Sequence, residues 1–272
     1  MRRSVIIFLV FALAGVSVPT FVRQIHRRFA GVNAQVYLGD RNMERYLERE
    51  VRLIVDRMAQ QVQKPPKNAR IDKTSGEVMP EESGTFVDSE LTVERVMNAK
   101  SNTQLELETI TIIPLLRVEH LEVLVDILGD FVTPLMGAPG RVTNIRLSLA
   151  AVNNTLVLPG EIFSFNEVVG ERTIERGYKS APIILGETVT PGVGGGVCQT
   201  SSTLYNAVNR ASLEIVERRI HSIAPSYIQH GKDATVAWPH TDFKFRNSRE
   251  TPIIVKGEIQ RWRVRVWVVG ME

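Results

Sequence analysis

The stretch TPGVGGGVCQTSSTLYNAVNRA, residues 190–211, constrains the fold more than any other part of the chain. Four of its first seven residues are glycine, which disfavours a regular element there and predicts a turn. Behind the turn, Leu204, Ala207, Val208 and Ala211 recur at helical spacing, which predicts a helix over residues 200–211 with one apolar face. Cys198 is the only cysteine among 272 residues and falls at or near the first turn of that helix. Unpaired N–H groups and the helix dipole at such a position stabilise a thiolate and lower the thiol pKa.

Two familiar chemistries of glycine-rich turns do not fit. A phosphate-binding loop needs Gly-Lys-Ser/Thr after its glycines, and here the lysine is missing. The dinucleotide fingerprint fails for want of an acidic residue ending a second strand of a βαβ unit. The histidines are His26, His120, His221, His230 and His240, and none is paired with another or with Cys198 at metal-ligand spacing, so neither a metal nor another cofactor is expected.

A nucleophilic cysteine needs a base. His221 follows the predicted strand LEIVERR, and Asp233 or Asp242 could orient its imidazole. The order Cys, helix, strand, His, strand, Asp is that of the papain-like and transglutaminase-like core. In this reading Cys198 attacks an amide, His221 is base and then acid, and N–H groups near residues 196–199 form an oxyanion hole. Gly194, Gly195 and Gly196 let backbone and substrate approach the sulfur. Tyr227 and Trp238 offer stacking surface for a glycan. Against this stands the ordinary fate of a free cysteine, a small packed hydrophobe.

Hydrophobic residues are 43% and charged residues 23% of the chain, with a net charge of +3, which fits a globular protein with a core. The arginines are scattered, so nucleic acid is not an expected partner. Residues 1–28 differ in texture. Arg2 and Arg3 precede an uncharged run over residues 4–22, and Arg23, Arg27 and Arg28 follow. Nineteen helical residues rise about 28 Å, close to a bilayer core. We read 1–28 as a single-pass membrane anchor that leaves the bulk of the chain extracytoplasmic, with secretion after signal cleavage as the alternative.

The rest reads as α+β. Residues 33–118 form a small domain with helices over 42–63 and 91–97 and a strand within TQLELETITII. Residues 119–134 read as a linker. Residues 135–272 form a second domain with a helix over 142–152, the helix near Cys198 and a mostly antiparallel sheet. Its predicted strands include LEIVERR, DATVAW, DFKFRN, PIIVKGEI and RWRVRVWVV.

PGEIFSFNEVVGERTIERGYKSAPII, GVGGGVCQTSSTLYNAVNRASLEIVERRIHS and GKDATVAW with TDFKFRN and PIIV resemble the VanW family over residues 135–258. The family is named for an accessory protein of vancomycin-resistance clusters. Its motif falls on Cys198, Gln199, Ser201, Thr203, His221, Asp233 and Asp242, which adds Gln199, Ser201 and Thr203 to the candidate binding residues. The region before it resembles a peptidoglycan-binding domain often found ahead of VanW domains. The resemblance implies a cell-envelope protein that binds or acts on peptidoglycan or its stem peptide. A cysteine-dependent acyl transferase, amidase or peptidase is the alternative, and a structural envelope protein the third.

Overall fold

Alternation near the C-terminus organises the larger part of the protein. In RVRVWVVG, Val264, Val266 and Val268 are fully buried while Arg263 and Arg265 face away, as the two-residue period of a strand requires. The structure is a computed structural model and describes residues 18–272. The chain divides into two units. One joins the described residues up to Lys67 with Glu82–Leu115, and the other joins Asn68–Glu81 with Leu116–Glu272.

In the first unit, α1 (Val18–Ala30), α2 (Glu48–Val62) and α3 (Ser89–Asn98) accompany two small sheets. One contains β1 (Tyr37–Leu38) between β2 (Arg41–Asn42) and β6 (Gln104–Leu105), and the other pairs β5 (Gly84–Val87) with β7 (Thr109–Ile112). The core gathers Val36, Leu38, Met43, Val51, Val55, Val93 and Val96. The helix expected over residues 42–63 begins at Glu48, because Met43 donates its N–H to the Val36 carbonyl at 2.8 Å instead of continuing a helix. Glu50 then accepts the Leu47 N–H at 3.0 Å and opens the first turn. The cap of α3 is Asp88, which takes the Leu91 N–H at 2.9 Å.

The second unit is built on a four-stranded antiparallel sheet. Its order is β8 (Asp126–Pro134), β16 (Arg263–Gly270), β15 (Ile253–Gln260), β9 (Thr155–Val157). Two helices, α5 (Pro139–Val152) and α7 (Val197–Arg210), cover one face with Ile145, Leu149, Leu204, Ala207 and Val208. A second antiparallel sheet sets β14 (Lys244–Arg246) between β10 (Ile162–Ser164) and β13 (Glu214–Glu217). There Phe163 and Phe245 stack with ring centroids 4.9 Å apart. The short helices α4 (Val118–Glu122) and α6 (Phe165–Val169), the strand pair β3 (Arg70–Ile71) and β4 (Val78–Met79), and a hairpin of β11 (Ser180–Leu185) and β12 (Thr188–Val193) complete the unit.

Three expectations change. Residues 119–134 contain α4 and all of β8, which pairs with β16 along its length, so a sheet strand stands where a linker was expected. DATVAW is not a strand: its Ala234 N–H and carbonyl bond serine side chains of α7, and its backbone-to-backbone bonds, Thr235 to Arg219 and Ala237 to Thr241, form no ladder. The single-pass anchor is unsupported. Residues 4–17 of its uncharged run lie outside the described residues, and among the described residues no helix is long and apolar enough to cross a membrane.

Gly129 fixes how closely α7 lies on β8. A Cβ there would stand 2.2 Å from the Ala207 carbonyl oxygen and 2.6 Å from the Ala211 nitrogen. Gly129→Ala must therefore lift the helix from the sheet. The expected loss of stability is about 1–3 kcal/mol, read as a lower denaturation midpoint at unchanged m-value.

Candidate active site

Backbone geometry explains the glycines. Gly194 and Gly196 have φ of +87° and +106°, the left-handed region that L side chains rarely adopt. A Cβ on Gly195 would come within 2.5 Å of the Ala181 carbonyl oxygen and 2.6 Å of that of Pro182. Asn144 fastens the turn. Its Nδ2 donates to the Lys179 and Gly195 carbonyls, both at 2.9 Å, and its Oδ1 accepts the Lys179 N–H at 2.7 Å. Gly196 is the N-cap of α7, which puts Cys198 at the second helical position, as the sequence predicts. The N–H groups of Val197 and Gln199 bond the Gly194 and Gly196 carbonyls. The Cys198 N–H has no backbone acceptor among the described residues and is the free first-turn donor beside its own sulfur.

The polar side chains that follow Cys198 face inward. Gln199, Thr200, Ser201, Ser202 and Thr203 are fully buried. Gln199 donates to Thr133 Oγ1 at 3.0 Å and the Pro134 carbonyl at 2.8 Å, and accepts from Arg141 Nη2 at 2.8 Å. Thr203 Oγ1 lies 2.9 Å from Thr133 Oγ1, and Thr200 Oγ1 lies 2.7 Å from Ser148 Oγ. Ser201 donates to the Ala234 carbonyl at 2.6 Å, Ser202 accepts the Ala234 N–H at 2.9 Å, and Asn206 donates to the Lys232 carbonyl at 2.6 Å. One side of the helix is thus riveted to β8 and the other to the segment that carries Asp233. Among the expected binding residues, Ser201 and Thr203 are spent on these bonds and do not line the cavity. Gln199 borders it with its amide fully engaged.

The riveted segment delivers Asp233 to His221. Asp233 Oδ2 accepts both the backbone N–H of His221 and its Nδ1–H, each at 2.6 Å, and the two side chains are only 5% and 3% exposed. Arg218 holds the same segment, donating Nε to the Asp233 carbonyl at 2.8 Å while its guanidinium lies over the Tyr205 ring at 4.0 Å. With Nδ1 committed to the carboxylate, Nε2 is the ring nitrogen left to act on Cys198, which borders the same cavity. The half-buried sulfur also lies 3.4 Å from the Val236 carbonyl oxygen.

Asp242 goes elsewhere. It accepts Ser164 Oγ at 2.5 Å, the Asn166 N–H at 2.9 Å and the Phe243 N–H at 2.8 Å, which ties β10 and α6 to the start of β14. Of the two aspartates the sequence left open, Asp233 is the one that meets the imidazole.

The electrostatics follow from these contacts. Burial pushes the Cys198 thiol up, but the hydrogen bond and charge of His221, the Val236 backbone and the Arg172 guanidinium outweigh it and hold the thiol below its ordinary value. Burial pushes His221 down, and its bonds and attraction to Cys198 and Asp233 reverse that and raise it. Burial would raise Asp233, but the two His221 bonds and the imidazolium charge lower it. All three directions favour a thiolate–imidazolium pair braced by a carboxylate.

Cys198 and His221 open on a cavity of about 380 Å³, bordered by Arg141, Arg172, Tyr227 and Trp238 and by Gly194–Gly196. Ile183 and Val193 of the β11–β12 hairpin form another wall. Sequence reasoning passed over Arg141 and Arg172. Among the described residues, no group of three or more His, Cys, Asp or Glu is placed to hold a metal ion.

Residues 140–269 match the family model described as "VanW like protein", and residues 43–108 match that described as "Putative peptidoglycan binding domain". The chain is 49% identical over 132 residues to protein YoaR of Bacillus subtilis (strain 168), which covers 48% of this chain and 44% of that protein. It is 30% identical over 115 residues to the vancomycin B-type resistance protein VanW of Enterococcus faecalis (strain ATCC 700802 / V583), covering 40% of this chain and 42% of that one. The chain therefore spans less than half the length of these curated relatives. No solved structure matches the chain. Residues 140–269 are thus similar to the VanW-like family, and residues 43–108, ahead of them, to the family described as "Putative peptidoglycan binding domain".

Proposed function

We propose that this is an extracytoplasmic cell-wall protein whose VanW-like domain cleaves or transfers an amide acyl group of peptidoglycan stem peptides through Cys198. The observation that carries the reading is the His221–Asp233 hydrogen bond on the cavity wall that also holds Cys198, with the thiol lowered and the imidazole raised by each other. The peptidoglycan-binding family match at residues 43–108 supports the substrate class.

The step balances with the side chains present. The Cys198 thiolate adds to an amide carbonyl carbon, forming an S–C bond and a tetrahedral oxyanion beside the Cys198 N–H. Collapse breaks the C–N bond, and the leaving amine takes the proton held on His221 Nε2. A thioester remains. Water gives hydrolysis and a second amine gives transfer, and in either case neutral His221 removes the proton of the attacking group. Asp233 keeps Nδ1 protonated and the ring aligned throughout, and stabilises the imidazolium.

The thiolate has a pH signature. A free thiol ionises near pH 8.5, and lowering that value leaves Cys198 ionised at pH values where a free thiol is protonated. Iodoacetamide alkylation of the wild type should therefore reach half its plateau at a lower pH than alkylation of free cysteine. His221→Gln removes the cation and leaves only Val236 and Arg172 to oppose burial, so the midpoint should move up. Asp233→Asn should move it up by less, since the ring remains. Alkylation rates from pH 5 to 10 give the result, and a wild-type profile that follows free cysteine defeats the activated thiolate.

Turnover is tested on a muropeptide digest followed by mass spectrometry. The wild type should change stem-peptide masses, and Cys198→Ala should lose this activity by at least about 10³-fold while still sedimenting with purified peptidoglycan. Unchanged masses together with equal sedimentation of both proteins would instead make the domain a binding module.

A further inference from the structure

Among the described residues, three buried side-chain polar atoms have no hydrogen-bond partner, and two of them, Arg172 Nη2 and Thr235 Oγ1, belong to residues lining the Cys198 cavity. Buried donors are nearly always paired, because leaving one unpaired costs about 1–3 kcal/mol. Arg172 is held in place regardless. Its Nη1 donates to Asn166 Oδ1 at 2.8 Å and its guanidinium lies over the Phe165 ring at 5.6 Å. Arg141 borders the same cavity, fixed by Gln199 Oε1, the Met136 carbonyl at 3.2 Å and the Tyr227 ring at 5.5 Å. Neither arginine forms an ion pair among the described residues. Both lie close enough to the sulfur for their charges to act on it. The one acidic residue on the cavity wall is the exposed Glu171.

From this geometry we infer that the cavity is an anion site, in which Arg172 Nη2 and Thr235 Oγ1 grip a carboxylate of the substrate with Arg141 adding charge. The class of substrate is a short peptide with a free carboxylate next to the amide that Cys198 attacks, such as a peptide C-terminus. Guanidinium donors suit a carboxylate, and a hydroxyl supplies a further donor. The substrate class rests on the catalytic reading above; the anion site itself does not.

Charge-matched alkylation of the full chain separates the two. Iodoacetate and iodoacetamide react with the same thiolate, each forming an S–C bond and releasing iodide. Their rate ratio therefore cancels the thiolate fraction and reports attraction of the carboxylate. Relative to free cysteine, the wild-type ratio at pH 7 should favour iodoacetate by about tenfold or more. Arg172→Gln should remove most of that preference, Arg172→Lys should keep part of it, and Arg261→Gln, a change of equal charge on the exposed β15–β16 turn, should leave it intact. A wild-type ratio equal to that of free cysteine, or one unmoved by Arg172→Gln, overturns the anion site. The absolute iodoacetamide rate separately judges the activated thiolate. Should Arg172→Gln fail to fold, the wild type still decides. A short peptide with a free C-terminus should slow iodoacetamide alkylation at concentrations where its C-terminal amide does not, and equal protection by both overturns the inference.

Discussion

The site depends on a helix that buries its polar face. From Gln199 to Thr203, α7 presents five polar side chains to the interior, and each finds a partner. A net hydrogen bond contributes only about 0.5–1.5 kcal/mol, whereas an abandoned buried partner costs about 1–3. Such a row therefore contributes more to specificity than to bulk stability. It accepts one register of α7 against β8 and one placement of residues 232–234. Slide the helix by a residue and these side chains lose their partners on both sides. The register that satisfies it also sets Cys198 at the helix start and Asp233 under His221, so packing and chemistry have a common origin.

The charged side chains follow a similar logic of partial satisfaction. Cys198, His221 and Asp233 are each penalised by burial; His221 is carried back by the other two, and each of them chiefly by His221. Asp233 is most thoroughly committed, because one oxygen takes both the backbone and the ring N–H of His221. That double bond to one residue fixes the ring's tilt as well as its tautomer. The arginines are held by aromatic faces and neutral acceptors instead of carboxylates, so their charge is not cancelled locally. Restraint of the cation without neutralisation keeps a positive potential in the cavity beside a thiolate.

How much of this was legible in the sequence varies with the range of the interactions. The Gly turn, the apolar stripe of Leu204, Ala207 and Val208, and the position of Cys198 are local, and the structure has them as read. Strand β8 was missed because Gly129 interrupts its alternation and Ile127 and Val132 stay exposed on its outer face. Ser201 and Thr203 looked like ligand contacts because short polar residues after a Gly turn often are. Nothing local shows that their partners lie 33 and 70 residues away. Arg172 was hidden differently. In GERTIERG it stands among Glu171, Glu175 and Arg176 and reads as part of a solvated charge cluster, and only the fold brings Phe165 beneath it and turns it toward the cavity.

The choice between Asp233 and Asp242 shows why spacing alone stops short. Both follow His221 and both sit beside short extended pieces. What separates them is the length of free backbone around each. Asp242 immediately precedes Phe243 and β14, and its carboxylate closes the turn into α6 through two backbone N–H groups and a serine. Asp233 lies in a segment without a ladder of its own, whose carbonyls and amides are open to Ser201, Ser202, Asn206 and Arg218. A segment held by side chains instead of by strand pairing can be set at any height over a helix. Because DATVAW fails to become a strand, its aspartate can be carried to the histidine.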